Sequence, residues 1–310
     1  GRLLGLNETL RQTIIQLLPE PHAALLAGML LGTQAAIPSE VMADFRATGT
    51  SHLLVISGWN ITVLAGGVVG LLMAAGLSRR HAMALSLPVL VLYVIFVGAS
   101  PSILRAGIMG GLVIWAGLAD READAWTSLL LACALLALLD PNVLWDTGFQ
   151  LSALATAGIV GWQRPLFTWI TRQLPDNHAW LAGLVESLSV TLAALILTLP
   201  LLVYSFGTLA LTAPVANLLL APAVPPAMLL GALSAVAGLL FLPLGQILAL
   251  LSWPFTAWLL VGTHLLAGLP AAAVSVAPFP EWWLAAWYGG FLVLAVWRMR
   301  QQRAAARVGG

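Results

Sequence analysis

Long apolar blocks separated by short polar stretches recur from residue 21 to residue 297, and many have the length a helix needs to cross about 30 Å of hydrocarbon. The opening is different. Over residues 7–18, Leu10, Ile14 and Leu17 share one helical face and Glu8, Arg11, Gln12 and Gln16 the other, the spacing of a helix lying on a surface. An apolar half-helix over 22–36 ends at Pro38, and a brief amphipathic turn follows, in which Val41, Met42 and Phe45 alternate with Glu40, Asp44 and Arg46. The next segment, 53–76, is broken in its interior by Ser57, Gly58 and Asn60. Segments 82–98 and 103–119 are joined by Gly98-Ala99-Ser100-Pro101-Ser102, too tight for a free loop and suited to a hairpin at or inside the membrane.

Residues 127–139 and 149–161 are each too short for a full crossing and flank the polar centre 140–148, a pattern expected of a break that lines a cavity. Over 162–180 the chain reads as interfacial again, with Leu166, Phe167, Ile170 and Leu174 opposed by Arg164, Thr168, Arg172 and Gln173. Apolar segments near 183–205, 208–224, 226–242, 245–268 and 282–297 complete the chain, and Pro200, Pro214, Pro222, Pro225 and Pro226 predict that several are kinked or incomplete. The pattern predicts an all-α fold: a polytopic transmembrane helical bundle of about ten hydrophobic segments, some broken or re-entrant, with interfacial amphipathic helices. Residues 1–20 form the interfacial helix, 21–300 the transmembrane domain and 301–310 a basic C-terminal tail.

Composition sharpens this reading. Hydrophobic residues make up 60% of the 310 and charged residues 8%, with a mean hydropathy of +0.97, so no soluble domain of useful size fits between the segments. A net charge of +1 gives no support for a broadly basic nucleic-acid surface and confines any polyanion contact to a local site. All 13 basic residues are Arg, whose fork matches phosphate or carboxylate, but an Arg-preferring genome is the better account of this bias. Cys133 stands alone, which excludes a disulfide or thiolate metal site within the chain. Under the positive-inside rule, the cluster Arg79-Arg80 and the arginines after residue 297 are both cytoplasmic. Gly1-Arg2-Leu3 and Val308-Gly309-Gly310 read as the cut ends of a longer protein.

Arg105 lies inside an apolar stretch, where a charge costs at least about 2.5–3.5 kcal/mol, so it must be paired or wet. Asp140 and Asp146 are the expected carboxylate partners, with Glu186 a third; a structural ion pair and a pore-lining role are both open. Asn60, Gln150, Ser152 and Asn217 are uncharged polar groups at membrane depth, each serving either as helix glue or as lining of a common aqueous cavity. Gly66 and Gly70, and Gly107 and Gly111, have the spacing of tight helix packing. Ser57-Gly58 is weakly similar to the nucleophile of intramembrane serine proteases, but the histidines fall near segment ends. Without a paired-His metal spacing or a phosphate loop, no catalytic residue, metal or cofactor is expected.

Four runs, taken together, carry a resemblance. Gly49-Thr50-Ser51-His52-Leu53-Leu54-Val55-Ile56-Ser57-Gly58-Trp59-Asn60-Ile61 is followed by Pro101-Ser102-Ile103-Leu104-Arg105-Ala106. Asp140-Pro141 with Asp146-Thr147-Gly148-Phe149-Gln150-Leu151-Ser152 comes next, and Phe206-Gly207 with Pro214-Val215-Ala216-Asn217-Leu218-Leu219 and Pro222 closes the set. In this order they resemble the ComEC family of bacterial competence proteins.

The resemblance implies that residues 21–300 are a competence-type channel domain of the bacterial inner membrane, passing single-stranded DNA into the cytoplasm during natural transformation. Its implied partners are single-stranded DNA, the bilayer, an oligonucleotide-binding domain and a nuclease domain outside this chain, and a cytoplasmic motor protein. Ser57, Trp59, Asn60, Arg105, Asp146, Phe149, Gln150 and Asn217 would line the DNA path, with Trp59 and Phe149 as base-stacking candidates. Asn60 stands where many members have His, which removes a titratable group. The rival readings are a secondary transporter of a small solute, disfavoured by the lack of an internal repeat, and a non-conducting membrane scaffold.

Overall fold

A computed structural model describes residues 2–33, 37–54, 56, 58–174, 181–277 and 279–293. These are almost entirely helical: α1 (Arg2–Leu17), α2 (His22–Leu31), α3 (Ser39–Ala47), α4 (Gly58–Ala74), α5 (Arg79–Phe96), α6 (Pro101–Leu118), α7 (Ala125–Leu139), α8 (Thr147–Thr171), α9 (Ala182–Phe206), α10 (Ala213–Leu220), α11 (Val224–Leu240) and α12 (Leu242–Ala267). A further helical stretch covers residues 282–293. Five helical stretches among the described residues are long and apolar enough to cross a membrane: α5, α6, α9, the 28 residues Ala213–Leu240 that run from the start of α10 to the end of α11, and α12.

Burial along these helices is inverted relative to a soluble protein. On α12, Gly245, Ala249, Ser252, Thr256, Leu259 and Thr263 form the buried stripe. Ile247, Leu250 and Leu265 stand 62–68% exposed on the opposite face. Small residues let helix backbones approach, and large apolar ones face lipid, which is as apolar as they are. The buried hydroxyls are satisfied within their own helix: Ser252 donates to the Ala249 carbonyl (2.9 Å), Thr263 to Leu259 (2.6 Å) and Ser234 of α11 to Gly231 (2.8 Å). The protein is therefore a multi-pass helical membrane protein.

Two helix pairs dominate the packing, α8 with α9 and α11 with α12. Gly158 makes the first pair possible, because a Cβ there would overlap the Ala193 carbonyl of α9. The largest core joins α1, α2, α3, α10, α11 and α12 around Leu25, Leu26, Met29, Phe45, Leu220 and Met228. A second core joins α4, α5 and α6 through Ile61, Leu90, Val94, Ile103, Ala106 and Ile114. The apolar face of α1 (Ile14, Leu17) is covered by protein, chiefly α11 and α2.

Helix α2 is the half-helix expected near 22–36, and it ends inside the bundle. Its last carbonyls have no partner within the helix and must find one elsewhere at that depth. They do so: Gly32 (φ 74°) returns its N–H to Gly28, the Tyr93 hydroxyl of α5 donates to the Leu30 carbonyl (3.1 Å), and Asn60 Nδ2 of α4 reaches the Met29 carbonyl (3.5 Å).

In segment 53–76 the helix α4 begins only at Gly58 and takes in Asn60, after a short 3₁₀ turn at Ser51–Leu53, while Ser57 lies outside the described residues. Two expectations are corrected. The short helix 149–161 and the interfacial stretch 162–180 are, as far as Thr171, one continuous 25-residue helix, α8. It runs through Pro165 because packing against α9 outweighs the lost hydrogen bond. Segments 208–224 and 226–242 do not stand apart, since a 3₁₀ turn at Ala221–Ala223 links α10 directly to α11. An antiparallel ribbon also goes beyond the all-helical expectation, β1 (Thr208–Ala210) pairing with β2 (Ala273–Ser275) in the register Thr208↔Ser275. The helical stretch 282–293 docks on α9: Trp287 Nε1 donates to the Ile196 carbonyl (3.2 Å) and the Tyr288 hydroxyl to Leu197 (2.9 Å). Residues 294–310, including the basic tail, lie outside the described residues.

Candidate functional site

Three of the four sequence runs converge on Arg105. Pro101 occupies the first turn of α6, where its missing N–H costs nothing, and Arg105 follows one turn later, 4% exposed. Its Nη1 donates to Thr156 Oγ1 (2.9 Å) and to Met109 Sδ (3.1 Å), and its Nη2 to Ser152 Oγ (2.5 Å). Ser152 and Thr156 lie four residues apart, on one face of α8. Gly58, the first residue of α4, closes the third side. A Cβ at that position would lie 3.4 Å from Ala106 Cβ and 3.6 Å from Arg105 Nη2, so no side chain at Gly58 stands between the start of α4 and the guanidinium. Gly148 completes the join, its would-be Cβ lying 3.4 Å from Ser102 Oγ on α6.

The ion pair considered for Arg105 is not formed. Among the described residues the ion pairs are Arg11–Glu8 and His264–Asp44. Asp140 and Asp146 are exposed and bound locally. Asp140 Oδ1 accepts from the Asn142 amide (3.0 Å), and Asp146 Oδ1 from the Phe149 N–H (2.6 Å), which caps α8. Glu186 on α9 is exposed. The guanidinium is thus held by neutral acceptors, and its Nε–H is buried with no acceptor at all. A cation buried in a membrane-spanning helix on hydroxyls and a thioether is poorly compensated, since burying a charge without a counter-charge is among the costliest arrangements available.

The remaining expected site residues divide. Gln150 Nε2 donates to the Leu144 carbonyl (2.7 Å) and braces the turn before α8. Phe149 is 4% exposed in a small core with Leu136 and Val143, which leaves its ring no open face. Asn60 is fully buried and reaches α2. Asn217 lies on α10 among residues of the largest core, its Oδ1 buried without a partner. The first run nonetheless touches the stretch between the two parts of the fourth: Gly49 (φ 68°) packs so closely that a Cβ would lie 2.9 Å from the Cβ atoms of Ala210 and Ala213. Ser57 and the side chain of Trp59 lie outside the described residues. Sequence reasoning missed Thr156, Met109 and Tyr93. The signal for Thr156 was its four-residue spacing from Ser152, facing the same side of α8 as the quoted run. Among the described residues no group of three His, Cys, Asp or Glu could hold a metal ion.

Fold and site together define a polytopic membrane domain whose broken helices gather around a buried, poorly compensated cation. The chain belongs to the competence protein family, which residues 29–301 match. It is 29% identical over 243 residues to ComE operon protein 3 of Bacillus subtilis, covering 78% of this chain and 30% of that protein. Over 319 aligned residues it is 28% identical to the uncharacterized protein YcaI of Escherichia coli, covering 94% of this chain and 38% of that protein. The chain thus spans about a third of the length of these curated relatives. No solved structure gives a significant match.

Proposed function

We propose that this domain is the membrane conduit through which single-stranded DNA enters the cytoplasm during natural transformation, in the closed state. The observation that carries the reading is Arg105, buried at membrane depth with hydroxyl partners, no carboxylate and a spare N–H, where three of the four family-like runs meet. A strand crossing the bilayer needs local cations for its phosphates and must also be released. One arginine among neutral polar groups suits conduction better than a basic trough.

The domain is read as non-catalytic. Its DNA-processing partners would be the oligonucleotide-binding and nuclease domains expected elsewhere in the parent protein, and the driving force a cytoplasmic motor. The test is uptake of a labelled single-stranded oligonucleotide into proteoliposomes containing the full-length protein and its cytoplasmic partner. Nuclease-protected uptake that Arg105→Met reduces at least tenfold is the expected result. Absence of uptake under every partner condition would contradict the reading.

A further inference from the structure

Arg105 invites a narrower question, namely what occupies its donors when the bundle is at rest. A guanidinium offers five N–H groups in a planar fork suited to paired phosphate oxygens. In this structure three bonds are made, to Met109, Thr156 and Ser152, and the Nε–H goes unused although the residue is 96% buried by its 4% exposure. Thr156 is informative here. Its own hydroxyl proton is committed to the Ser152 carbonyl (2.9 Å), so toward Arg105 the oxygen acts only as an acceptor. It presents to the arginine what a phosphate oxygen would present, without the charge. Beside Nη2 the 17-residue α4 begins at Gly58, bare of a side chain, its would-be Cβ lying 3.6 Å from that nitrogen. A helix N-terminus and an arginine with a spare donor, side by side, are two independent features that favour an anion.

We propose that Arg105 and the first turn of α4 form a site for one phosphodiester group of the translocating strand, whose place Ser152 and Thr156 hold in the closed bundle. This inference rests on the DNA-conduit reading above and adds a gating step to it. In the resting state the arginine ties α6 to α8 through the two hydroxyls. An incoming phosphate, being charged, outcompetes neutral oxygens for the same donors and uses the idle Nε–H as well. The α6–α8 tie is then broken by the cargo itself. The hydroxyls are therefore competitors of the ligand and not part of its cradle, which gives the proposal an unusual sign: deleting them strengthens binding.

The experiment measures binding of a fluorescent oligo(dT) to the full-length protein in nanodiscs of phosphatidylcholine, for wild type, Arg105→Met, Arg105→Lys and the double variant Ser152→Ala/Thr156→Val. Each variant is first checked for a monodisperse, cooperatively unfolding species. Arg105→Met is expected to weaken binding at least tenfold. Arg105→Lys should fall between it and wild type, since it keeps the charge and loses the fork. The double variant should bind roughly tenfold more tightly, the equivalent of one hydrogen bond to a charged group no longer competing.

Equal binding by wild type and Arg105→Met would overturn the site while leaving the conduit reading intact. A double variant weakened as much as Arg105→Met would overturn the placeholder role. If wild type binds no oligonucleotide at all, it is the conduit reading that fails. Parallel arms add inorganic phosphate or replace part of the lipid with phosphatidylglycerol. Arg105-dependent binding of either one, with none of the oligonucleotide, would assign the site to free or lipid phosphate and overturn its nucleic-acid occupant.

Discussion

Arg105, Asp140 and Asp146 show how far single residues could be read before the fold was seen. An arginine in an apolar run announces a special environment by its cost alone, and that expectation stands. Its partners were misjudged because an aspartate directly before a helix has a local use as a cap, which it satisfies without reference to distant charges. Phe149 divides in the same way. As part of a packed core it should lose about 3–5 kcal/mol of stability on Phe149→Ala. A drop in thermal or denaturant stability checks this, whereas lost DNA affinity at unchanged stability would restore the stacking role.

On α1, outside the membrane-spanning helices, hydrogen bonds from Arg11 and then Gln12 pull the Glu8 carboxyl down to about 2. A depressed carboxylate contributes stability above its ordinary range and loses it as pH falls toward 2, so the Glu8–Arg11 clamp should persist through mildly acid conditions. A carboxyl-carbon NMR titration of Glu8 should place its midpoint near 2, and an ordinary glutamate midpoint would remove the clamp from the account.

At the scale of elements, the sequence made the breaks legible and the joins illegible. The interruption before α4, the tight α5–α6 connection and the short α2 follow from Gly, Ser and Pro placed inside apolar runs. The continuity of α8 did not, because it depends on α9 lying alongside, and Gly158 looks like any other small residue until the Ala193 carbonyl is against it. Gly158→Ala should therefore destabilise the protein by about 1–3 kcal/mol, the usual cost of overpacking. Gly66→Ala, with nothing near its would-be Cβ, should be neutral or slightly stabilising. Comparing the two by thermal unfolding in detergent isolates the helix contact from intrinsic helix propensity. The buried end of α2 predicts separately that Tyr93→Phe, which strands the Leu30 carbonyl, costs about 1–3 kcal/mol. An unchanged melting temperature would mean that the carbonyl finds another donor.

For the whole molecule, the arrangement is a bundle whose small and hydroxylated residues face inward and whose large apolar residues face lipid, with one poorly compensated cation where three sequence runs converge. That the fold is a membrane bundle was readable from composition and block length. Where the individual polar groups point was not: Asn60 reaches a carbonyl of α2, Asn217 is buried on α10, and Ser152 and Thr156 meet Arg105. On the proposed conduit reading, opening parts α6 from α8 and from the start of α4.

The most direct test is cysteine accessibility on a Cys133→Ala background, with single cysteines at Ser102, Gly148, Ser152 and Thr156 and lipid-facing controls at Ile247 and Leu250. A membrane-impermeant thiol reagent is applied with and without single-stranded DNA and the cytoplasmic partner. The account predicts labelling of the four site positions in the engaged protein, protection by a bound strand, and silence at the two controls. Silence at all four site positions in every condition would contradict it and leave Arg105 as a structural tie within a dry bundle.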